Sequence, residues 1–345
     1  MAKKVLITGG SGFLGINLVR HLYAKGYEIN VIDNAPFNYA DMKDKINFFL
    51  GDIRNKKSLQ KATKGCDYVV HSAMALPLYP KNEILTTGID GTRNVLEIAE
   101  KNKIKRAVHI SSTAVYGIPD HHPLYENDEM KGVGNYGIAK VEAEKICDIY
   151  RKKGMFVSVL RPKSFVGPER LGVMAIYYDW IHRGKSIPIV GNGKNRYQLL
   201  SVEDVCDAIE LCLTKPKAND TFNIGTKYFK TMKEDFGSVI KHAKTGKRII
   251  PVPAIPLILI LRMLEALHLS PLYKWVYETA PHDSYVSIEK AEKALGFNPK
   301  YSNSETLIKN YDWYVDNLST FENQTGVSHR VPWKQGILRL VSWFF

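Results

Sequence analysis

Apolar residues in the first half of the chain form short runs that alternate with longer segments of helical period. The runs are rich in β-branched and aromatic residues, as half-buried or buried strands are. The predicted strands are Lys4–Thr8, Glu28–Ile32, Asn47–Leu50, Tyr68–His71, Ala107–Ser111 and Val157–Leu160. The clearest predicted helices are Phe13–Lys25, Asn94–Lys101 and Ala139–Arg151. This alternation predicts an α/β fold in which crossover helices join the strands of a doubly wound parallel sheet.

The pattern changes after Arg161-Pro162, where the elements become shorter and prolines and glycines punctuate the chain. We therefore divide the chain into a first domain at residues 1–162 and a smaller C-terminal lobe at 163–320 that is interleaved with it. Residues 321–345 form an amphipathic tail. The lobe is expected at the carboxyl edge of the sheet, where open α/β folds bind their ligands, so it is predicted to bind the substrate.

Two apolar segments of the second half have no obvious place in a sheet. Residues 249–261 carry no charge and three prolines, and they are too short to span a bilayer. They are interpreted as a loop-helix lid or a hydrophobic entrance to the pocket. Residues 333–345 place their apolar side chains on one helical stripe. This helix is expected to pack on its own protein or on a second subunit; peripheral membrane contact through 249–261 and 333–345 is the alternative.

Charge and cysteine content narrow the classes of partner. The formal charge of +13 is high, but the basic residues are scattered without interleaved aromatics, so no nucleic-acid binding is expected. The four cysteines form neither a CxxC pair nor a Cys/His cluster with metal spacing, so no metal site is expected. The N-terminus has no secretory signal pattern. The chain is expected to be cytoplasmic, or peripheral at the inner face of the membrane.

A glycine-rich turn follows the first predicted strand and opens the first helix. Gly9, Gly12 and Gly15 lie in the sequence TGGSGFLG, which also contains Ser11, Phe13 and Leu14. Such a turn brings backbone N–H groups and a helix N-terminus to a pyrophosphate, so it predicts a Rossmann-type dinucleotide site.

Two carboxylates are candidates for the adenosine end of that dinucleotide. Asp33 ends the second strand, where it would accept hydrogen bonds from ribose hydroxyls and repel a 2′-phosphate. NAD is therefore expected rather than NADP. Asp52-Ile53, after the third strand, is a candidate for the adenine edge, and an ordinary turn is the alternative there.

Tyr136 and Lys140 are the principal candidates for chemistry. On a helix they would share one face, and a neighbouring ammonium favours the phenolate form of a tyrosine. Such a tyrosine can exchange a proton with an alcohol or ketone. Ser111-Ser112-Thr113 lies one strand-loop-helix unit earlier, so a serine hydroxyl is expected to reach the same oxygen. The charges at Glu142, Glu144 and Lys145 are interpreted as an exposed helix face.

Taken together, these motifs resemble the extended short-chain dehydrogenase/reductase family of epimerases, dehydratases, hydroxysteroid dehydrogenases and flavonol-type reductases. The resemblance extends from about Lys4 to Trp313 and rests on TGGSGFLG, Asp33, SSTAVYG, YGIAK and LRP at 160–162. It implies NAD as cofactor, Tyr136 as general acid/base, Lys140 on the nicotinamide ribose, and Ser112 on the reacting oxygen. The further cofactor residues that it implies are Ala73, Met74 and Pro162. The substrate residues that it implies are Thr113, Ser164 and Arg196.

Five positions depart from the family pattern. Gly88 replaces a common asparagine, and Met74 replaces a common alanine, so a thioether is expected at the cofactor pocket. Thr113-Ala114 replaces the Asp-Glu pair of 4,6-dehydratases, which argues against dehydration of that type. Ser164 replaces a phosphate-binding asparagine of the sugar-nucleotide enzymes, whereas Arg196 matches an arginine that those enzymes use on the diphosphate.

Three functions follow from these motifs. The first is a dehydrogenase or reductase of a secondary alcohol or ketone on an apolar, lipid-like molecule. The second is a nucleotide-sugar 4-epimerase with tightly bound NAD, and the third is a non-catalytic dinucleotide-binding subunit. A homodimer that pairs through the helices near 94–101 and 139–151 is also expected, by likeness to the family.

Overall fold

The structure is a computed structural model that describes residues 2–266 and 274–321, together with Ser328, Arg330 and Pro332. The predicted helical stripe at 333–345 lies outside the described residues. The chain divides into two compact units. The first unit comprises residues 1–163, 202–225 and 286–299, and the second comprises 164–201, 226–285 and the described residues from Lys300 onward. The chain thus returns twice to the first unit after leaving it at Lys163.

The strands of the described residues follow the predicted runs closely in the first half of the chain. In chain order they are β1 Lys4–Thr8, β2 Glu28–Asp33, β3 Asn47–Leu50, β4 Tyr68–His71, β5 Arg106–Ile110, β6 Val157–Pro162, β7 Phe165–Val166, β8 Ile187–Val190, β9 Leu200–Ser201, β10 Thr221–Ile224 and β11 Ile249–Val252.

The α-helices of the same residues connect and cover these strands. They are α1 Phe13–Ala24, α2 Lys56–Thr63, α3 Lys81–Leu85, α4 Thr92–Lys101, α5 Gly134–Lys152, α6 Val173–His182, α7 Val202–Thr214, α8 Met232–Ala243, α9 Ala254–Ala266, α10 Lys274–Thr279, α11 Glu289–Leu295 and α12 Asn303–Asp316. A π-helical turn at Thr86–Gly91 joins α3 to α4, and a 3₁₀ turn at Thr113–Tyr116 follows β5.

Seven parallel strands form the sheet of the first unit, in the order β10-β6-β5-β4-β1-β2-β3. β1 lies between β2 and β4, so the strand order reverses at β1, as it does at the ligand-binding point of Rossmann-type folds. The predicted α/β, doubly wound parallel sheet is confirmed. Thr8 pairs in register with both Ile32 and His71, which brings the glycine turn beside the ends of β2 and β4.

The second unit packs helices and two small parallel sheets around its own apolar core. β8 pairs with β11, and β7 pairs with β9. The core includes Tyr178 of α6, Val239 of α8 and Leu307 of α12. Residues 249–261, interpreted from sequence as a lid or entrance, form strand β11 and most of helix α9. Across the described part of the chain, no helix is both long and apolar enough to cross a membrane.

Candidate active site

The glycine turn between β1 and α1 is held by close backbone packing. Gly9 has a φ of +74°, and a Cβ there would lie 2.8 Å from the Ala73 Cα. A Cβ on Gly15 would lie 2.2 Å from the Gly9 carbonyl oxygen, and one on Gly10 would lie 2.4 Å from Val31. Larger residues therefore cannot replace Gly9 or Gly15 without moving the backbone, and a larger residue at Gly10 would have to displace the Val31 side chain. Gly10 was not among the residues singled out from sequence, because its constraint comes from a neighbouring strand.

The first turn of α1 fits the phosphates of a dinucleotide. The N-cap Gly12 has no side chain to cap the helix, and the first turn carries no acidic residue. A Cβ on Gly12 would meet only the Gly9 carbonyl oxygen, at 3.2 Å, so the turn is open at this position. Backbone N–H groups and the helix dipole together favour an anion here. These residues fit NAD: Ser11 to Gly15 would hold its pyrophosphate, and NAD supplies a hydride acceptor when bound.

Asp33 ties the glycine turn to the end of β2. Its carboxylate accepts hydrogen bonds from the Ser11 N–H and from the Ala35 N–H, both at 2.9 Å. The Ser11 hydroxyl donates to the Ala35 carbonyl at 3.1 Å. Asp33 thus orders the turn. Its predicted contact with the adenosine ribose stays a prediction.

Asp52 is engaged in a different way, because both of its oxygens lie against Arg54. The Arg54 guanidinium also donates to Glu83 at 2.8 Å, and the hydrogen bonds from Arg54 to Asp52 hold the pKa of Asp52 below its usual value. Ile53 is buried, and a Cβ on Gly91 would lie 2.4 Å from its Cδ1. Asp52 therefore forms an ion pair with Arg54 within its own turn. The predicted contacts of Asp52 and Ile53 with adenine stay predictions.

The departures at Met74 and Gly88 have one structural explanation. A Cβ on Gly88 would lie 3.0 Å from the Met74 Cε and 2.9 Å from the Ala139 Cβ. Met74 packs with Ala139 and Tyr136 in a small apolar cluster. The Met74 thioether therefore occupies space that a side chain at position 88 would need, directly against helix α5.

Lys140 lies inside the first unit rather than in solvent. Its side chain is 4% exposed, and its ammonium donates a hydrogen bond of 2.6 Å to the carbonyl oxygen of Ile110, the last residue of β5. The ammonium is 5.7 Å from the centre of the Tyr136 ring. Burial lowers the pKa of Lys140 to about 8, although the nearby Glu144 acts in the opposite direction. The ammonium and the phenol are thus neighbours on α5, as the sequence predicts.

The loop that carries Ser112 packs against the first turn of the same helix. Ser112 caps the 3₁₀ turn, and its hydroxyl accepts a hydrogen bond from the Ala114 N–H at 3.1 Å. A Cβ on Gly137 would lie 3.0 Å from the Ala114 carbonyl oxygen. The Gly132 N–H donates a hydrogen bond of 2.9 Å to the Val115 carbonyl oxygen. The glycine next to Tyr136 therefore permits the close approach of the Ser112 loop to α5. Thr113 begins the 3₁₀ turn.

A buried network lies behind this loop. The Ser111 hydroxyl donates to Glu144, whose carboxylate is paired with Arg161 at 2.7 Å; both charged side chains are 4% exposed. Arg161 also donates to the Tyr116 hydroxyl at 2.8 Å, and that hydroxyl donates to Asn223 at 2.6 Å. The interpretation of Glu144 as an exposed helix charge is therefore wrong, because α5 turns this position towards β5 and β6. The partner that buries it is distant in sequence.

Two buried histidines lie at the ends of β4 and β5. His71 shares hydrogen bonds with Thr8 at 2.8 Å and with Thr92 at 3.0 Å, and burial lowers its pKa to about 3. The ring of His109 is 5.2 Å away, and its nitrogens have no hydrogen-bond partner among the described residues. Burial also lowers the pKa of His109, so neither imidazole adds a positive charge beside Lys140.

The remaining predicted residues end β6 or belong to the second unit. Pro162 is the last residue of β6 and pairs with Ile224. In the second unit, the Ser164 hydroxyl is hydrogen-bonded to the Tyr197 hydroxyl at 2.9 Å. The exposed Arg196 guanidinium packs over the rings of Phe229 and Tyr285, at 4.8 and 4.7 Å from their centres. The predicted roles of Thr113, Ser164 and Arg196 towards substrate stay predictions.

Comparison with known proteins agrees with this arrangement. Residues 5–225 match the NAD dependent epimerase/dehydratase family. The chain is 34% identical over 343 residues to the uncharacterized protein y4nG of Sinorhizobium fredii, covering 99% of this chain and 86% of that protein. It is 29% identical to a putative UDP-glucose 4-epimerase of Methanocaldococcus jannaschii, covering 92% of this chain and all (100%) of the relative.

Among solved structures, the fold is similar to that of the UDP-glucose 4-epimerase of Thermotoga maritima with UDP-glucose. The TM-score is 0.76 at 25% identity, over 91% of this chain and 99% of the other. The sequence prediction of an NAD-dependent enzyme is thereby confirmed, while the reaction stays open. The glycine turn, the buried lysine beside Tyr136 and this extended similarity show that the chain belongs to the NAD-dependent epimerase/dehydratase family, the extended short-chain dehydrogenases/reductases.

Proposed function

We propose that this protein transfers a hydride reversibly between NAD and a secondary alcohol or ketone, with Tyr136 as the general acid/base. The position of Lys140 is the observation that carries the proposal. An ammonium that is buried and 5.7 Å from the Tyr136 ring stabilises negative charge on the phenol more than a solvated one would. The Ser112 hydroxyl would hold the substrate oxygen, and Tyr136 would remove or return its proton.

For the substrate, we favour a nucleotide sugar that undergoes epimerisation at a secondary hydroxyl. Arg196 supports this choice, because its guanidinium packs over two aromatic rings while remaining exposed. A guanidinium held in that way keeps its N–H edge available for a diphosphate. The names of the relatives in Methanocaldococcus and Thermotoga, "putative UDP-glucose 4-epimerase" and "UDP-glucose 4-epimerase", point in the same direction. Thr113-Ala114 supplies no carboxylate for dehydration.

A dehydrogenase or reductase of a mainly apolar secondary alcohol is the second candidate. It is favoured by Ser164, which offers a hydroxyl bonded to Tyr197 where the sugar-nucleotide enzymes often use an asparagine on phosphate. A site of this kind would select an apolar substrate over one that carries a diphosphate. The two candidates differ in how they use NAD, since an epimerase restores its cofactor in each turnover.

The cofactor's behaviour therefore distinguishes the two. Purified protein would be denatured to measure the NAD it releases. Intact protein would then be incubated with UDP-glucose or UDP-galactose, and separately with steroid alcohols and acyl ketones. We expect NAD to co-purify, and the two nucleotide sugars to interconvert without net NADH. Net NADH formation from an apolar alcohol, with no turnover of the nucleotide sugars, would contradict the substrate proposal and leave the hydride-transfer proposal standing.

Tyr136→Phe tests the shared chemistry in the same assay. It removes the proton donor and keeps the ring, so we expect turnover to fall ~100-fold or more while NAD binding persists. Tyr150→Phe is the matched control, since it makes the same change on the same helix, away from the Ser112 loop. If Tyr136→Phe turned over as fast as the control, the general acid/base assignment would be wrong.

A further inference from the structure

A cationic cleft lies in the second unit, at a distance in sequence from every residue of the candidate active site. Its volume is about 620 Å³, and helix α8, the loop after it and the start of β11 line it. Five of its lining residues are basic: Lys233, Lys241, Lys244, Lys247 and Arg248. No carboxylate lines the cleft. Such a concentration of one charge attracts anions.

All five of these basic side chains are exposed. Within the described ranges, none of them forms an ion pair. The acidic residues of α8 are occupied elsewhere. Glu234 closes the capping box with Thr231, and Asp235 is buried against Asn303 and Ser304. Among the described residues, no carboxylate therefore pairs with the basic side chains of the cleft.

Helix α9, which follows β11 after Pro253, exposes large apolar side chains. Ile255 is 76% exposed, Leu259 56%, Ile260 50% and Met263 59%. Ile255, Leu259 and Met263 are spaced four residues apart, so they lie on one face of the helix. A contiguous exposed apolar face of this kind marks an interaction surface.

The cleft and the apolar face are close along the chain. Arg248 and Ile249 line the cleft at the start of β11, and α9 begins two residues after that strand ends. Four strand residues span about 13 Å. Basic residues next to an apolar helix face are the combination by which peripheral proteins bind anionic lipid surfaces.

We propose that the second unit docks on an anionic membrane surface. Lipid phosphates would occupy the cationic cleft, and the face of Ile255, Leu259 and Met263 would enter the headgroup region. A second copy of the chain fits this surface less well, because a symmetric contact would oppose two cationic clefts. The docking is independent of the proposed chemistry at Tyr136.

Vesicle sedimentation with the full chain tests the cleft. Vesicles of phosphatidylglycerol and phosphatidylcholine in equal parts would be compared with phosphatidylcholine alone, at about 0.1 M and about 1 M salt, where the Debye length falls from about 10 to about 3 Å. We expect binding to the anionic vesicles at low salt only. Lys244→Glu with Lys247→Glu should weaken that binding by about 25-fold or more, since each lysine contributes about fivefold.

The control for charge is Lys57→Glu with Lys61→Glu, which removes the same net charge from exposed lysines of α2 in the first unit. For the apolar face, Ile255→Ser should weaken binding by about tenfold, whereas Ile118→Ser, at an isoleucine 58% exposed in the first unit, should not. Unchanged thermal unfolding of each variant would show that these exposed positions do not alter the fold.

Three outcomes would overturn the proposal. One is the absence of binding to anionic vesicles at low salt, and another is equal binding by the cleft variant and its control. The third is a change of oligomeric state, seen by light scattering of the cleft variant without vesicles, which would assign the surface to a second copy. None of these outcomes bears on turnover by Tyr136.

Discussion

At the scale of single residues, the charge of Lys140 is the property on which the proposed chemistry depends. Burial lowers the pKa of Lys140 to about 8, while the Glu144 carboxylate, one helical turn away, raises it. Lys140 therefore keeps its charge below about pH 8 and loses it above. Inside the protein, Arg161 forms an ion pair with the Glu144 carboxylate and the Ser111 hydroxyl donates a hydrogen bond to it. In the proposed chemistry, Arg161 and Ser111 would thus act indirectly, by holding Glu144 in position next to Lys140.

Glu144→Gln tests this support. Loss of the carboxylate should lower the pKa of Lys140 further, so the alkaline limb of the pH–rate profile should move to lower pH. It also leaves the Arg161 charge uncompensated in the interior, and we expect the free energy of unfolding to fall by about 3–5 kcal/mol. Chemical denaturation and a pH–rate profile measure the two effects.

The matched control for that substitution is Glu142→Gln, on the same helix. Glu142 pairs with Lys145 at a half-exposed surface, so its removal should change the unfolding free energy by less than about 1 kcal/mol and leave the pH–rate profile in place. A Glu144→Gln enzyme with the wild-type alkaline limb would show that the carboxylate does not act on Lys140.

At the scale of elements, the turn between α3 and α4 explains why two family positions differ here. The backbone widens into a π-helical turn at Thr86–Gly91, and the Thr92 hydroxyl donates to the Gly88 carbonyl at 2.6 Å. π-Helical turns are frequent next to functional sites. With no side chain, Gly88 lets Met74 and α5 pack against the turn. The two departures from the family pattern are thus sterically linked: the glycine at position 88 leaves the space that the larger methionine at position 74 fills.

Gly88→Ala should therefore destabilise the protein. The new Cβ would lie within 3.0 Å of Met74 and Ala139, and we expect overpacking to lower the free energy of unfolding by about 1–3 kcal/mol. Adding Met74→Ala should recover part of this lost stability, because it removes the Met74 Cε, one of the two groups that the new Cβ would meet. Urea denaturation of both variants measures the difference.

Gly237→Ala, on helix α8, is the control glycine. A Cβ there would meet only Ile249, at 3.7 Å, so this change should stabilise by up to about 1 kcal/mol through helix propensity. If Gly88→Ala proved as stabilising as Gly237→Ala, steric exclusion at the turn would be refuted.

At the scale of the whole molecule, helix α5 has an outer face suited to a second subunit. Ile138 is 46% exposed and Ile149 is 50% exposed. They are eleven residues apart, which is close to three helical turns, so they lie on one side of α5. The opposite side carries the buried Lys140 and Glu144. We therefore retain the expectation of a homodimer, in which α5 would contribute its apolar outer face.

Ile149→Glu should convert such a dimer to monomers, because it places a charge on the apolar contact face of both copies. Light scattering at micromolar concentration measures the mass, with Ile118→Glu as a control for an exposed isoleucine elsewhere. A wild-type protein that scatters as a monomer under these conditions would remove the dimer. The predicted cytoplasmic location is a separate expectation and stays a prediction.

Much of this architecture was readable before any coordinates, because it depends on local patterns. Alternating strands and helices require a parallel sheet, and glycines spaced by three at a strand-to-helix turn require a phosphate-binding loop. The i, i+4 spacing of Tyr136 and Lys140 places both on one helix face. These properties follow from backbone geometry within about thirty residues of chain, so the sequence alone determined them.

Only the tertiary structure decided which charges are buried and which partners they find. Glu144 and Lys145 look alike in sequence, yet one is paired with Arg161 inside the fold and the other is exposed. The tertiary structure alone likewise shows that residues 202–225 and 286–299 return to the first unit, and that Met74 contacts Gly88. Each depends on which distant segments pack together, and the free energy of burying a group depends on the partners that packing brings to it.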